Sequence, residues 1–379
     1  MAILVLNLGS SSLKAALFET QDLALLWSAE QQHGPGQLAA LLNDWLAPQL
    51  EPWWPQIAAA GHRMVHGGER FTAPTRLDEG VQAALAELRE LAPLHNPPAL
   101  EAIQWLQQRQ PQLPQWACFD TAFHASLPAE AYSYALPRSW REQGLRRFGF
   151  HGLNHQHISE WAQELWQSQG RRQPLRLISC HLGAGCSLAA IREGRSIDTT
   201  MGFTPLEGLV MASRSGSIDP GLLLHQLNRG ISPAQLEQVL NHESGLLGLS
   251  GLSSDWQDLQ QAAAEGHAGA QLARAVFLHR LKGSIAAMAA SLGGVDLIAL
   301  SGGIGAHDQQ LRSELETQLS WLGEVLWQQV PAEEERMIAR LISRGPLNDP
   351  GDPGSGAGDG SSAGDPHSED LGQVHRPAP

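Results

Sequence analysis

Two arginines, one aspartate and a Ser-rich turn carry the chemistry that can be read in this chain. The segment Met1-Ala-Ile-Leu-Val-Leu-Asn-Leu-Gly-Ser-Ser-Ser-Leu-Lys-Ala-Ala-Leu-Phe18 sets two β-type apolar runs around a Gly9-Ser10-Ser11-Ser12 turn. Asn7 closes the first run and Lys14 stands on the second. A Gly/Ser turn offers backbone N–H groups and hydroxyls that suit phosphate oxygens, and Lys14 adds a point charge at the same place. Arg63 and Arg214 read as lying in Gly-rich polar loops, where a guanidinium can clamp a carboxylate or a phosphoryl group, although an arbitrary Arg is more often a solvated surface residue. Asp120 follows a strand-like Trp-Ala-Cys-Phe run, a position that suits a site at a strand's C-terminal end and equally a helix N-cap. These residue types fit phosphoryl transfer, which needs positive charge around the moving group and in-line placement of donor and acceptor. The segment is not a P-loop: G-x-x-x-x-G-K-[ST] is missing and a strand follows in place of a helix.

The elements that must position these groups have their own signals. Residues 78–92 show helical periodicity with an acidic first turn, and Leu94-His-Asn-Pro-Pro98 breaks that helix. Pro97 and Pro98 start the next one, running to about Gln110. Leu175–Leu182 reads as a strand, Gly183-Ala-Gly-Cys-Ser187 as a turn and Leu188–Ile191 as a second strand. Set against the opening segment, Leu8-Gly9 meets Leu182-Gly183 and Ala15-Ala16-Leu17 meets Ala189-Ala190-Ile191, the offset a duplicated domain would produce. Residues 132–172 carry loop and helix patterns, and residues 219–292 are mostly helical. Val295–Leu300 is a buried strand running into Ser301-Gly-Gly-Ile-Gly305, where glycines let a ligand approach the backbone. From Gly345 the chain turns to Gly/Pro/Asp/Ser low complexity, which predicts a disordered tail.

A chain of 379 residues, 42% hydrophobic and 17% charged, is long enough for two globular domains. The net charge of -14 argues against a nucleic-acid partner, and no run approaches the ~20 apolar residues that span a bilayer. The start has no basic n-region and its apolar run is interrupted, so it does not read as a signal peptide. Cys118, Cys180 and Cys186 sit in or beside apolar runs with no C-x-x-C spacing, which predicts buried free thiols and a cytoplasmic protein.

A set of motifs makes a resemblance specific. In order they are Gly61-His-Arg-Met-Val-His-Gly-Gly-Glu69, Leu91-Ala-Pro-Leu-His-Asn-Pro-Pro98, Phe119-Asp-Thr-Ala-Phe-His124, Phe148-Gly-Phe-His-Gly152 and His181-Leu-Gly-Ala-Gly185. Met201-Gly-Phe-Thr-Pro-Leu-Glu-Gly208, Arg214-Ser-Gly-Ser-Ile-Asp-Pro220, Ser250-Gly-Leu-Ser-Ser-Asp255 and Ser301-Gly-Gly-Ile-Gly305 follow. From residue 1 to about residue 340 the chain resembles the acetate kinase family, within the sugar kinase, Hsp70 and actin superfamily. The resemblance implies an α/β fold of two duplicated ribonuclease H-like (actin-like ATPase) domains with the active site in the cleft between them. The expected division is residues 1–146, residues 147–344 for nucleotide binding and dimerisation, and a tail over residues 345–379.

The implied reaction is reversible phosphoryl transfer from ATP to acetate, giving acetyl phosphate and ADP. By the same resemblance, Asp120, Arg63, Arg214 and His151 are catalytic, with His151 donating to the moving phosphoryl and Arg214 neutralising its charge. Asp120 is expected to orient acceptor and metal, since an acetate-like acceptor is already ionised and needs no base. Arg63, Val65, Leu94, Phe150 and Pro205 are expected to hold the acceptor. Asn7, Ser10, Ser12, Lys14, His181, Leu182, Gly183, Gly185, Asp255, Gly303, Ile304 and Gly305 are expected around the nucleotide. Mg2+, with Mn2+ as substitute, is assigned to Asn7 and Glu334, Glu335 being the next match. His95 stands out within a motif, whereas His62, His66, His124 and His155 read as structural. A homodimer through the second domain is expected.

Departures from the family pattern cluster on the nucleotide side. Ala184 stands where the family has Asn, Gln257 where it has Arg, and Ala306-His307 where it has Glu-Asn. His151-Gly-Leu-Asn-His155 replaces a His-Gly-Thr-Ser-His pattern, and the stretch from Gly305 to Glu333 is short. The alternatives are therefore a propionate or butyrate kinase, a pyrophosphate-dependent acetate kinase, or a non-catalytic nucleotide-responsive protein on the same fold.

Overall fold

A computed structural model describes residues 1–9, 12–34, 36–91 and 96–345. Within them the chain builds two mixed sheets of matching topology. In the first, β1 (Ala2–Leu8), β2 (Ser12–Glu19) and β3 (Leu25–Gln32) form an antiparallel meander, while β4 (Ile57–Met64) and β6 (Gln115–Phe119) extend it in parallel from β1. The two-residue β5 (Thr75–Arg76) closes the edge beyond β6. In the second, β7 (Arg176–Leu182), β8 (Cys186–Arg192) and β9 (Arg195–Thr199) repeat the meander. There β10 (Leu297–Ser301) and β11 (Leu326–Gln329) extend it in parallel from β7. The strand orders are β3-β2-β1-β4-β6-β5 and β11-β10-β7-β8-β9. The offset seen in the sequence is thus a repeated hairpin, in which Leu8 pairs with Leu13 and Leu182 with Cys186. The architecture is that of two duplicated actin-like units.

Period-two alternation decides what each strand presents to each layer. On β1, Leu4 and Leu6 join the core beneath the helical stretch Leu38–Leu50 and the Asn96–Arg109 helix. Ile3 and Val5 face the opposite layer with Met337, Ile338, Ala339 and Ile342 of the Glu334–Arg344 helix. That helix comes last in the described chain, yet it packs on the first sheet, and it also meets the Gly152–Ser168 helix, where Arg340 and Arg344 donate to Glu160. Its apolar stripe fits where Gly61 of β4 leaves no side chain: a Cβ there would stand 2.5 Å from Ile338 and Ile342. The second sheet is sandwiched between the Ala268–Leu292 helix on one face and the Gly152–Ser168 helix on the other.

The Asn96–Arg109 helix begins beside Pro97, one residue from the expected start. The short stretch after Gly305 still supplies an edge strand, β11. Ser10, Leu94 and His95, and the tail after Gly345, lie outside the described residues. Among the described residues no helix is long and apolar enough to cross a membrane. The three cysteines are free and buried.

Candidate active site

The alternation that packs the first sheet also aims its polar residues. Asn7 continues the Ile3–Val5 face of β1, and Arg63 continues the Ala59–Gly61 face of β4. Asp120 follows Trp116 and Cys118 just beyond β6. All three therefore reach the layer covered by the Glu334–Arg344 helix. Arg63 Nε and Nη2 donate to one oxygen of Asp120, Oδ2, at 3.0 and 2.6 Å, and Nη1 donates to Asn7 Oδ1 at 3.1 Å. Asn7 Nδ2 donates to Glu335 Oε1 at 2.6 Å. Lys14 stands opposite Asn7 across the hairpin.

This cluster holds more buried carboxylate than cation. Asp120 is 1% exposed and its second oxygen, Oδ1, is buried without a hydrogen-bond partner among the described residues. Burial pushes the Asp120 carboxyl up although Arg63 pulls the other way. Glu334 is buried beside it and is raised in the same manner. Burial works against the Arg63 guanidinium, but Asp120 and Glu334 outweigh it and hold the arginine charged. Two buried carboxylates sharing one arginine, with one oxygen free, are a fitting place for a further cation. Among the described residues no three His, Cys, Asp or Glu side chains are gathered as a ready-made metal cage.

Across the cleft stand His151, His181 and Arg214. His151 caps the Gly152–Ser168 helix in the left-handed backbone region, φ 56° and ψ 24°, an arrangement a non-glycine residue adopts only where its surroundings enforce it. Here Gly152 enforces it: its N–H donates to the Asp120 carbonyl at 2.9 Å, and a Cβ at Gly152 would lie 2.1 Å from that oxygen. The helix start is thereby pinned to the backbone of Asp120. His151 stacks on His181 of β7, ring centroids 4.2 Å apart. Burial, then the neighbouring His181 and the cationic Arg63, hold His151 well below the usual histidine value. Burial and Arg63 bring His181 down to about 4. Both rings are neutral at pH 7.

Arg214 sits in the long loop between β9 and the Pro220–Asn228 helix, half-buried, and its guanidinium has no hydrogen bond or ion pair among the described residues. Burial, with repulsion from Arg63 behind it, lowers its pKa, but an arginine remains a cation at neutral pH. A desolvated guanidinium with no counter-ion facing a second arginine is an anion site.

The other expected residues divide. Val65 and Phe150 lie in one apolar cluster, and Pro205 is half-buried in the loop that leads to Arg214. Gly183, Asp255, Gly303 and Ile304 line a cleft of about 540 Å³ with Ala184, Gln257 and His307. Leu182 is core and offers only backbone, and Gly305 packs behind it. Asp255 spends its carboxylate capping a helix, accepting from the N–H groups of Gln257 and Asp258. Trp256 Nε1 and Gln260 Nε2 both donate to Asp308 Oδ2 at 2.6 Å, which stiffens one wall of the cleft. Three residues beside His151 and His181 were given no functional part by the sequence, His155 having read as structural. Asn154 and His155 lie three and four places after His151, on its own helix face, and Ser187 pairs with His181 across the second hairpin.

Comparison with known proteins decides the family. The sequence model of the acetokinase family matches residues 28–343. The chain belongs to that family. An acetate kinase of Synechococcus sp. (strain JA-2-3B'a(2-13)) is 46% identical over 357 residues, covering 85% of this chain and 88% of that one. One from Acaryochloris marina is 42% identical over 356 residues, with the same coverage of 85% and 88%. The acetate kinase structure of Porphyromonas gingivalis superposes with a TM-score of 0.80 at 32% identity, over 89% of this chain and 98% of that one. A propionate kinase from Francisella tularensis gives 0.81 at 33% identity, over 90% and 98%. As a member of the acetokinase family the chain is an enzyme, a phosphotransferase with a carboxyl group as acceptor, whose substrates are acetate and ATP.

Proposed function

We propose that the cleft between the two sheets works as follows. Arg63 and the apolar group of Val65, Phe150 and Pro205 hold acetate, with Leu94 as the expected fourth wall. The γ-phosphoryl of ATP lies between Arg63 and Arg214, and His151 donates to it as charge moves onto its oxygens. Asp120 fixes Arg63 and the divalent metal in one geometry. Asn7, Ser12 and Lys14 from the first hairpin, with Ser10 in its turn, and His181, Gly183 and Gly185 from the second, contact the phosphates. The nucleoside lies in the cleft bounded by Asp255, Gly303 and Ile304. The observation that carries this reading is Arg214, a half-buried guanidinium with no partner among the described residues, opposite an arginine already paired to Asp120.

Asp120 through its free Oδ1, with Glu334 and Asn7 beside it, would hold Mg2+ or Mn2+. A metal held there would supply positive charge to screen the nucleotide phosphates. Residues 1–146 form the acceptor half and residues 147–344 the nucleotide half, with the Glu334–Arg344 helix returning to the first. The protein works in the cytoplasm, in keeping with its three free thiols. It pairs as a homodimer through its second half, a reading supported by the Pro220–Asn228 and Pro233–His242 helices. Neither helix buries a residue, and Leu222 and Leu224 are 52% and 62% exposed.

Hydroxamate formation tests the reading, with acetate, propionate and butyrate each run against ATP, GTP and pyrophosphate. Acetate with ATP and Mg2+ is expected to give the highest kcat/KM. No turnover with any pairing would overturn the catalytic reading in favour of a nucleotide-responsive protein.

A further inference from the structure

The hydroxyl of Ser187 lies between two histidines. Its Oγ is 2.9 Å from His151 Nδ1 and 2.8 Å from His155 Nε2, and the other nitrogen of His155, Nδ1, is 2.9 Å from Ser179 Oγ. Ser179, Ser187 and His155 are all fully buried. A hydroxyl has one hydrogen and a neutral imidazole one N–H; were Ser187 to accept from both histidines its own buried hydrogen would have no acceptor among the described residues, so it donates to one and accepts from the other. Only two settings of this row are self-consistent. In the first, Ser179 donates to His155 Nδ1, His155 Nε2–H donates to Ser187, and Ser187 donates to His151 Nδ1. In the second every bond is reversed, and the Ser179 hydroxyl hydrogen has no acceptor among the described residues. A buried donor without an acceptor is costly, so the first setting prevails.

We propose that Ser179, His155 and Ser187 are positioning residues that hold His151 in the tautomer with its hydrogen on Nε2. The edge of the ring carrying Nε2 faces Gly185: a side-chain carbon built there would lie 3.2 Å from Nε2 and 4.0 Å from Arg214 Nη1. The hydrogen thus points to the side where Arg214 stands. The neighbouring ring is set in the same sense. Asn154 Nδ2 donates to His181 Nδ1 at 2.9 Å, which leaves the His181 hydrogen on Nε2. Two stacked imidazoles then act as neutral donors to an anion. In the reversed tautomer, His151 would turn a lone pair toward the phosphoryl oxygens and repel them. The carboxylate acceptor has no proton to give up, so a base at that place would have no task.

This inference rests on the proposed role of His151, but its first test does not. The tautomer is read from the ring nitrogens by two-dimensional ¹H–¹⁵N NMR of the labelled full chain without substrate. Wild-type His151 is expected to show hydrogen on Nε2, and Ser187→Ala a mixture of tautomers. His155→Gln keeps a donor near the Nε2 position and is expected to preserve the wild-type pattern, whereas His155→Ala loses it. In kinetics, Ser187→Ala is expected to lower kcat by about 10-fold with KM for acetate unchanged, as when a group behind a functional histidine is lost. Hydrogen on Nδ1 in the wild type would overturn the proposal, as would a pattern that neither Ser187→Ala nor His155→Ala moves. An inactive wild type with hydrogen on Nε2 would count against the role of His151 in phosphoryl transfer and leave the row of hydrogen bonds standing.

Discussion

Arg63 reaches Asp120 through two nitrogens that converge on a single oxygen, Oδ2, at 3.0 and 2.6 Å, and leave Oδ1 buried with no partner. An ion pair built for stability alone would use both carboxylate oxygens side by side. This one leaves its second oxygen buried and unpaired among the described residues.

Asp120→Asn keeps the shape of the side chain and removes its charge. The expected result is a fall in kcat of about 10²-fold, comparable to loss of one preorganised group. The Mg2+ concentration for half-maximal rate is expected to rise, and KM for acetate to stay within about 3-fold because Arg63 keeps its place. Steady-state kinetics against Mg2+ checks it. An unchanged metal requirement would remove Asp120 from metal binding.

The two arginines are expected to fail differently. Arg214→Ala removes an unpaired cation, so kcat drops by about 10²–10³ while the melting temperature stays near wild type. Added guanidinium should restore part of the rate. Arg63→Ala also strands the Asp120 carboxylate in the interior, which costs about 3–5 kcal/mol of stability, and guanidinium should rescue it less. Paired kinetic and melting measurements decide. Equal rescue and equal stability in both variants would contradict the assignment.

Nucleotide choice is expected to be loose. Gln257 and Ala184 line the base cleft where the family pattern has Arg and Asn, and neither brings a charge. ATP and GTP should differ by less than about 10-fold in kcat/KM, or about 1.4 kcal/mol. Gln257→Arg should lower KM for ATP and leave KM for acetate unchanged. A strong native preference for ATP that ignores Gln257→Arg would show that other residues of the cleft supply the recognition.

Acid should unfold this protein through its buried histidines. Burial brings His62, His66 and His124 down to about 4 in the folded chain, from 6.5 for the free side chain. Their folded pKa values are depressed, so between pH 6.5 and 4 the unfolded chain binds more protons. The stability they give is present above pH 6.5 and is lost as the pH falls toward 4. Each contributes a slope of roughly 1.4 kcal/mol per pH unit within that window. Denaturant unfolding at pH 7.5, 6 and 5 measures it, and a flat profile would mean that these histidines are not held neutral inside.

The residues that signal phosphate chemistry were legible in the sequence because local backbone needs expose them. Two Gly/Ser turns between apolar runs, arginines in Gly-rich loops and a carboxylate after a strand are short-range patterns, and the repeat between the hairpins announced the duplicated sheets. Arg63 read as a loop residue, but it lies on β4, where strand alternation sets it on the same face as Asn7 of β1. What covers that face was not legible. The Glu334–Arg344 helix is more than 300 residues from Asn7 in the chain, yet Glu335 bonds to it. The fit of Ile338 and Ile342 over Gly61, with Met337 and Ala339 in the same layer and Arg340 and Arg344 on Glu160, holds the helix there. The row from Ser179 through His155 and Ser187 to His151 is likewise tertiary. His155 read as a structural histidine because a histidine's role depends on which hydroxyl faces each ring nitrogen. That is fixed by packing a helix against a strand, and no local pattern in the chain encodes it.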